Sequence, residues 1–171
     1  SQANGYTIQA SGAIDSILAV AAVDTIWFTG CVFDANSTAT YSLRNAVDGA
    51  DYWRFVDCTF KNSTSSNISV RGTALWWFYS CDSHDSGGTG VSNAAGNRGT
   101  VIWQGGNIHN NTSHGVDLNR QGCSYANVNI YRNGGDGIFG QSSSGGLMVQ
   151  NCTFYKNSGN GIEQYNAAGR T

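Results

Sequence analysis

Proline is absent from the 171 residues, and charge is scarce: Asp, Glu, Lys and Arg make up 12% of the chain, about half the usual share of roughly 25%. Aromatics supply another 12%. Disorder needs high charge and few aromatics, so this composition excludes it. No apolar run approaches the roughly 18 residues of a membrane-spanning helix, and no membrane partner is expected. The first fifteen residues lack the basic start of a secretory leader. Formal net charge is −2, without the basic stripe that marks a nucleic-acid partner. No pair of cysteines has CxxC spacing, so a zinc site is not expected, nor is any other cofactor. Glycine, at 23 residues, is abundant, as are Asn, Ser and Thr. Such a composition suits a rigid β-structure on an extracellular or virion surface. The length fits one domain.

The chain repeats. Cys31, Cys58, Cys81 and Cys152 lie in the similar segments GCVFDAN, DCTFKNS, SCDSHDS and NCTFYKN. GGNIHNN around Gly106 and NVNIYRN around Val128 join them without cysteine. The intervals are 27, 23, 25, 22 and 24 residues, and the six copies align without a gap over 18 positions. Length variation falls in one connection per copy. One column holds Ile26, Trp53, Trp76, Val101, Cys123 and Leu147; two places on stand Phe28, Phe55, Phe78, Trp103, Tyr125 and Val149. Beyond the cysteine column come Phe33, Phe60, Ser83, Ile108, Ile130 and Phe154. Further on lie Tyr41, Ile68, Val91, Val116, Ile138 and Ile162. Paired apolar columns at a spacing of two follow the strand period. Each copy therefore holds three short strands. Gly30, Asp57, Ser80, Gly105, Asn127 and Asn151 form a kink column between the first two, and a turn rich in Asn, Ser and Gly precedes the third.

Strands this short bury an inner face only by stacking copy upon copy, about 4.8 Å apart. The expected fold is all-β: a single-stranded parallel β-helix of six to seven coils of about 24 residues, three short strands per coil. Helical repeats would need apolar spacings of three to four and less glycine. Coils of the NCTFYKNSGNGIEQY type resemble the right-handed β-helix superfamily of pectate lyases, phage tailspikes and alginate epimerases, over about residues 24 to 165. Residues 1–23 read as a partial coil or a cap, with DSILAVAAV open to a short helix, and 24–171 as the β-helix. Uncapped ends expose edge strands, so the chain is expected to be a fragment or one part of an assembly.

Four cysteines share one inward column, and Cys123 occupies another. Side chains stacked in parallel point the same way, a poor geometry for a disulfide. Buried, reduced thiols are expected instead, as compact apolar fillers.

Outward columns carry the candidate chemistry. One strip runs through Asp34, Lys61, His84, His109, Tyr131 and Tyr155. Asp82, Asn107 and Asn129 lie in the parallel column beside it. Tyr131 and Tyr155 are expected to extend the strip as a flat aromatic surface for sugar rings, with Asp, His and Asn for their hydroxyls. Within it, Tyr79, Asp82, His84 and Asp85 resemble the Tyr-x-x-Asp-Pro-His-Glu segment of mannuronan C5-epimerases, with Ser83 and Asp85 in place of the Pro and Glu. That resemblance implies that Tyr79 and His84 abstract and return a proton, with Lys61 on the preceding coil offsetting carboxylate charge. On the third strand, Ser42, Ser69, Ser92, Asp117, Phe139 and Glu163 are expected outward. Asp117 and Glu163, two coils apart, would stand about 9.6 Å from one another, at the upper edge of the roughly 6.5–9.5 Å of an inverting carboxylate pair. His114 and Asp136 share a turn column on adjacent coils.

Arg44, Arg71, Arg98 and Arg120, one per connection, suggest an edge for an acidic polysaccharide. Trp27, Trp77, Ile102 and Met148 form an apolar stripe on the first strand's outer face, of the sort that marks contacts; the resemblance implies trimers along such faces. The leading expectation is a polysaccharide-engaging β-helix segment of a tailspike-like or other surface protein. A uronate-polymer epimerase or lyase is the alternative, and a structural subunit of a virion or extracellular assembly the third reading.

Overall fold

The computed structural model describes residues 6–20, 25–45, 52–70, 75–93, 99–118, 122–140 and 146–164. Every described strand pairing is parallel. Third strands form one sheet of seven: Ser16–Val20, Tyr41–Asn45, Ser66–Val70, Thr89–Asn93, Val116–Leu118, Ile138–Gly140 and Ile162–Gln164. First and second strands share an eleven-stranded sheet. Its first strands are Thr25–Thr29, Tyr52–Val56, Cys123–Ala126 and Leu147–Gln150; its second strands are Thr7–Gln9, Val32–Asp34, Thr59–Lys61, Asn129–Tyr131 and Thr153–Tyr155. In the two middle coils the first and second strands run together as Leu75–His84 and Thr100–His109.

Thr7–Gln9 and Ser16–Val20 are strands that pair with Val32–Asp34 and Tyr41–Asn45. The boundary drawn at residue 23 lies outside the described residues.

The kink column bends the chain as its residue types allow. Gly30, Asp57, Ser80, Gly105, Asn127 and Asn151 all have φ between 50 and 75°, the left-handed region open to Gly and Asn. A second left-handed position follows the second strand, at Asn62, Asp85, Asn110, Arg132 and Lys156. These two bends per coil turn a straight strand path into a closed coil.

The inner columns stack as rows of like side chains. Phe28, Phe55, Phe78 and Trp103 follow one another with ring centroids 5.6, 5.2 and 4.6 Å apart. Phe33 stacks on Phe60 at 5.1 Å, and Trp53 meets Trp76 at 4.3 Å. Phe55, Phe78 and Trp103 are fully buried, as the column reading requires. In the turn before the third strand, Asn111 donates to Asn133 at 2.9 Å and Asn133 to Asn157 at 3.0 Å. The same carbonyl oxygens accept backbone amides of the coil before, at Asn111 N and Asn133 N. This side-chain ladder satisfies buried polar groups that a turn would otherwise leave unpaired.

Two expectations are corrected. In the first copy Leu43, not Tyr41, pairs with Ile68, while Tyr41 pairs with Ser66. The turn after Asp34 holds two extra residues, with Asn36 and Ser37 both left-handed at φ 51 and 54°. The slip preserves strand parity, yet it moves Ser42 alongside Asn67, where both are buried; its hydroxyl donates to the Lys61 carbonyl. Arg44 consequently lies within the strand, opposite Ser69, instead of in a connection. The second correction concerns Cys152. All five thiols are free, and four are buried, but Cys152 in the last described coil is only half-buried. Burial raises the Cys31 and Cys123 thiols above their usual range.

Candidate functional site

The second strands bring the expected strip together in register. Asp34 pairs with Lys61, Lys61 with His84, His84 with His109, His109 with Tyr131, and Tyr131 with Tyr155. Four rings follow one another with centroids 5.0, 4.7 and 4.6 Å apart and planes within 8° of parallel. Rings stacked in this way turn their faces toward each other. Solvent therefore meets their edges and polar tips, not the flat aromatic surface expected from the sequence. The strip is a ladder of imidazole nitrogens and phenol hydroxyls at the coil spacing.

The neighbouring column completes it. Asp82 pairs with Asn107 and Asn107 with Asn129, and Asn129 donates to the Asn107 carbonyl oxygen at 3.1 Å. Asp82 Oδ1 stands 3.2 Å from His109 Nε2, within ion-pair reach but off hydrogen-bond alignment, since that oxygen has no hydrogen-bond partner. His84 Nδ1 lies 2.7 Å from Asp85 Oδ2. Each imidazole thus has its own carboxylate. Among the described residues no three or more His, Cys, Asp or Glu side chains come together as a metal site would require.

At its other end the strip closes on itself. Asp34 accepts from Asn62 at 2.8 Å, the Asn36 amide at 2.9 Å and Gln9 at 3.3 Å, and it lies 3.6 Å from Lys61. Burial by itself would raise this carboxyl; the hydrogen bonds from Asn62 and Asn36 and the Lys61 charge outweigh it and hold the carboxyl below the usual carboxylate range. A carboxyl lowered on folding contributes stability above its unfolded value, about pH 3.9, and loses that contribution as pH falls through the lower folded value. The wild-type advantage over Asp34→Asn in urea midpoint should therefore be full at pH 6 and shrink below about pH 4. A constant difference across that range would refute the assignment.

The kink divides the epimerase-like segment. Tyr79 precedes Ser80, whose φ is 50°, and its ring meets Trp77 edge-on at 6.3 Å and the Arg54 guanidinium at 5.1 Å. Asp82, His84 and Asp85 follow the bend, and Lys61 is engaged by Asp34. Asp117, Phe139 and Glu163 do share one outward column. Burial raises the Asp117 carboxyl, against the opposing charge of His114. Glu163 accepts from Asn160 at 2.9 Å. His114 stacks on Phe139 at 4.7 Å and its Nδ1 accepts the Asp136 amide at 3.0 Å, beside Asp136 Oδ2 at 3.1 Å. Arg44 is held by Asp15 at 2.6 Å. Arg71, Arg98 and Arg120 lie outside the described residues.

A cleft of about 200 Å³ opens elsewhere, on the outer face of the first strands, where Trp27, Tyr52, Arg54, Leu75 and Trp77 line it. Trp27, Arg54 and Trp77 occupy one outward column on successive coils. The sequence pattern singled out the two tryptophans but passed over Arg54, the one charged residue among apolar neighbours in that column.

These ladders define the class: a single-stranded parallel β-helix with polar ladders on its outer faces. A family model described as a right handed β-helix region matches residues 16–171, and the chain belongs to that family. No curated protein matches the sequence. Among solved structures, PfbA, a surface adhesin of Streptococcus pneumoniae, matches with 13% identity and a TM-score of 0.39, over 80% of this chain and 45% of that one. The chain therefore spans less than half of the structure it matches.

Proposed function

We propose that this chain is a polysaccharide-engaging segment of an extracellular or virion surface protein, with the glycan lying along the second-strand ladder. The observation that carries this reading is the ladder His84–His109–Tyr131–Tyr155, whose polar tips recur every 4.6–5.0 Å beside Asp82, Asn107 and Asn129. Hydroxyls on successive sugar residues meet donors and acceptors spaced along a rigid support, which limits the ordering cost of binding. Asp82 and Asp85 supply acceptors, and the ring nitrogens and phenols supply both functions. A uronate epimerase or lyase would need Tyr79 and His84 converging on one carbon; Tyr79 is instead engaged by Trp77 and Arg54.

A glycan array probed with the wild type, His84→Ala and Tyr131→Ala tests this. Each substitution should weaken binding to the retained glycans about tenfold, the effect of losing one good charged or paired hydrogen bond. Melting temperature should stay nearly unchanged, because both residues are outward and half-exposed. Undiminished binding by both variants would end the ladder reading. A large loss of melting temperature would make His84 structural.

A further inference from the structure

We infer that the first-strand cleft is a second binding site, specific for a carboxylate-bearing sugar ring; the inference rests on the reading of this chain as a glycan-engaging surface. Its chemistry differs from that of the ladder. Here aromatic side chains stand open: Trp27 is 64% and Tyr52 61% exposed. Arg54 lies between two of the rings, its guanidinium carbon 4.6 Å from the Trp27 centroid and 5.1 Å from that of Tyr79. Such stacking holds the planar fork in one orientation. Among the described residues no carboxylate forms an ion pair with Arg54, whereas Arg44 and Lys61 each have one and each histidine has a carboxylate oxygen within 3.2 Å of a ring nitrogen. Its Nε is shielded from solvent and unpartnered, as is the Trp77 indole N–H beside it.

An unpaired, pre-oriented guanidinium selects an anion with two parallel oxygens, which a carboxylate supplies. The surrounding rings select a ligand with a flat apolar face as well, and a pyranose has one on its C–H side. At about 200 Å³ the cleft is smaller than the roughly 300–1,000 Å³ of a drug-sized site, so it takes one ring of a chain. A neutral sugar would leave Arg54 unpaired, and a bare anion would leave Trp27 and Tyr52 in water.

Tryptophan fluorescence reads the site, since Trp27 and Trp77 line the cleft with the buried Trp53 at its wall, while Trp76 and Trp103 are fully buried away from it. The probes are oligomers of galacturonate, mannuronate and hyaluronan, and sialyllactose, each beside its carboxyl-reduced form. At least one acidic probe should shift the emission, with its reduced form binding about tenfold more weakly. Arg54→Met should abolish that difference, Arg54→Lys should retain part of it, and Trp27→Leu, at an exposed position, should weaken the acidic probe. Tyr131→Ala should leave all of this intact. Emission unmoved by every acidic probe, equal binding of the reduced forms, or an acid preference kept by Arg54→Met would overturn the inference. So would sedimentation showing that the face is covered by a second copy. Array binding lost in Tyr131→Ala, with an acid preference unchanged in Arg54→Met, would overturn the cleft and leave the ladder; acid preference lost in Arg54→Met with the array unaffected by Tyr131→Ala would do the reverse.

Discussion

Truncation of Phe78 to alanine is expected to cost about 3–5 kcal/mol, read as a lowered urea midpoint with an unchanged slope. Phe78 is fully buried midway along the aromatic row. It stacks on Phe55 at 5.2 Å and Trp103 at 4.6 Å, and meets Phe60 edge-on at 5.8 Å. Removing the ring withdraws partners from both adjacent coils at once. In a solenoid each coil touches only its neighbours, so no distant contact makes up the loss. The rows above and below are already close-packed, and the cavity has little room to collapse. A loss below about 1 kcal/mol would show that the row is not continuous.

Substituting Gly106 by alanine is expected to cost about 3 kcal/mol or more, by clash and strain together. Its φ is +83°, and a Cβ there would meet the Cys81 carbonyl oxygen and backbone nitrogen of the coil before. Both atoms belong to a parallel ladder held by hydrogen bonds, so neither yields without opening the pairing of Leu75–His84 with Thr100–His109. Gly140→Ala is the control. Its nearest neighbour would be Gln164 Cγ at 3.7 Å, an ordinary contact, and its φ is not in the left-handed region. That change should be neutral or stabilising by about 0.4–1 kcal/mol. Equal losses at both positions would mean that glycine serves here only as a small residue.

Much of this fold is legible in the amino-acid sequence. Columns such as Phe55, Phe78 and Trp103 recur at a spacing that only stacked coils can bury. The kink column was legible for a local reason: Gly, Asn, Asp and Ser are residues that tolerate or stabilise left-handed backbone, and every one of the six adopts it. Register along the second strands follows from it, so the sequence pattern already puts Lys61, His84, His109, Tyr131 and Tyr155 on one line. Arg132 and Lys156 also sit left-handed, and their residue types signal nothing of the kind.

Three things were decided only in three dimensions. The two-residue slip at Leu43 is invisible in a pattern of period two, because Tyr41 and Leu43 both satisfy it; only the pairing of Leu43 with Ile68 settles which one enters that column. The outward strip could be listed by position, but whether its rings show faces or edges depends on side-chain rotation against the next coil. At a coil spacing near 4.8 Å, parallel rings gain most by stacking on one another, so the faces are consumed within the ladder. Arg54 shows the converse. Alone in an apolar column it carries no local signal. Its meaning comes from Trp27 on one neighbouring coil and Tyr79 on the other, with 25 residues separating Arg54 from Tyr79 in the chain. The sequence by itself determined the coil, its bends and its register, because those rest on local residue types repeated at one period. The tertiary structure alone decided which chemical groups reach the solvent, because that depends on how each side chain packs against coils remote in sequence.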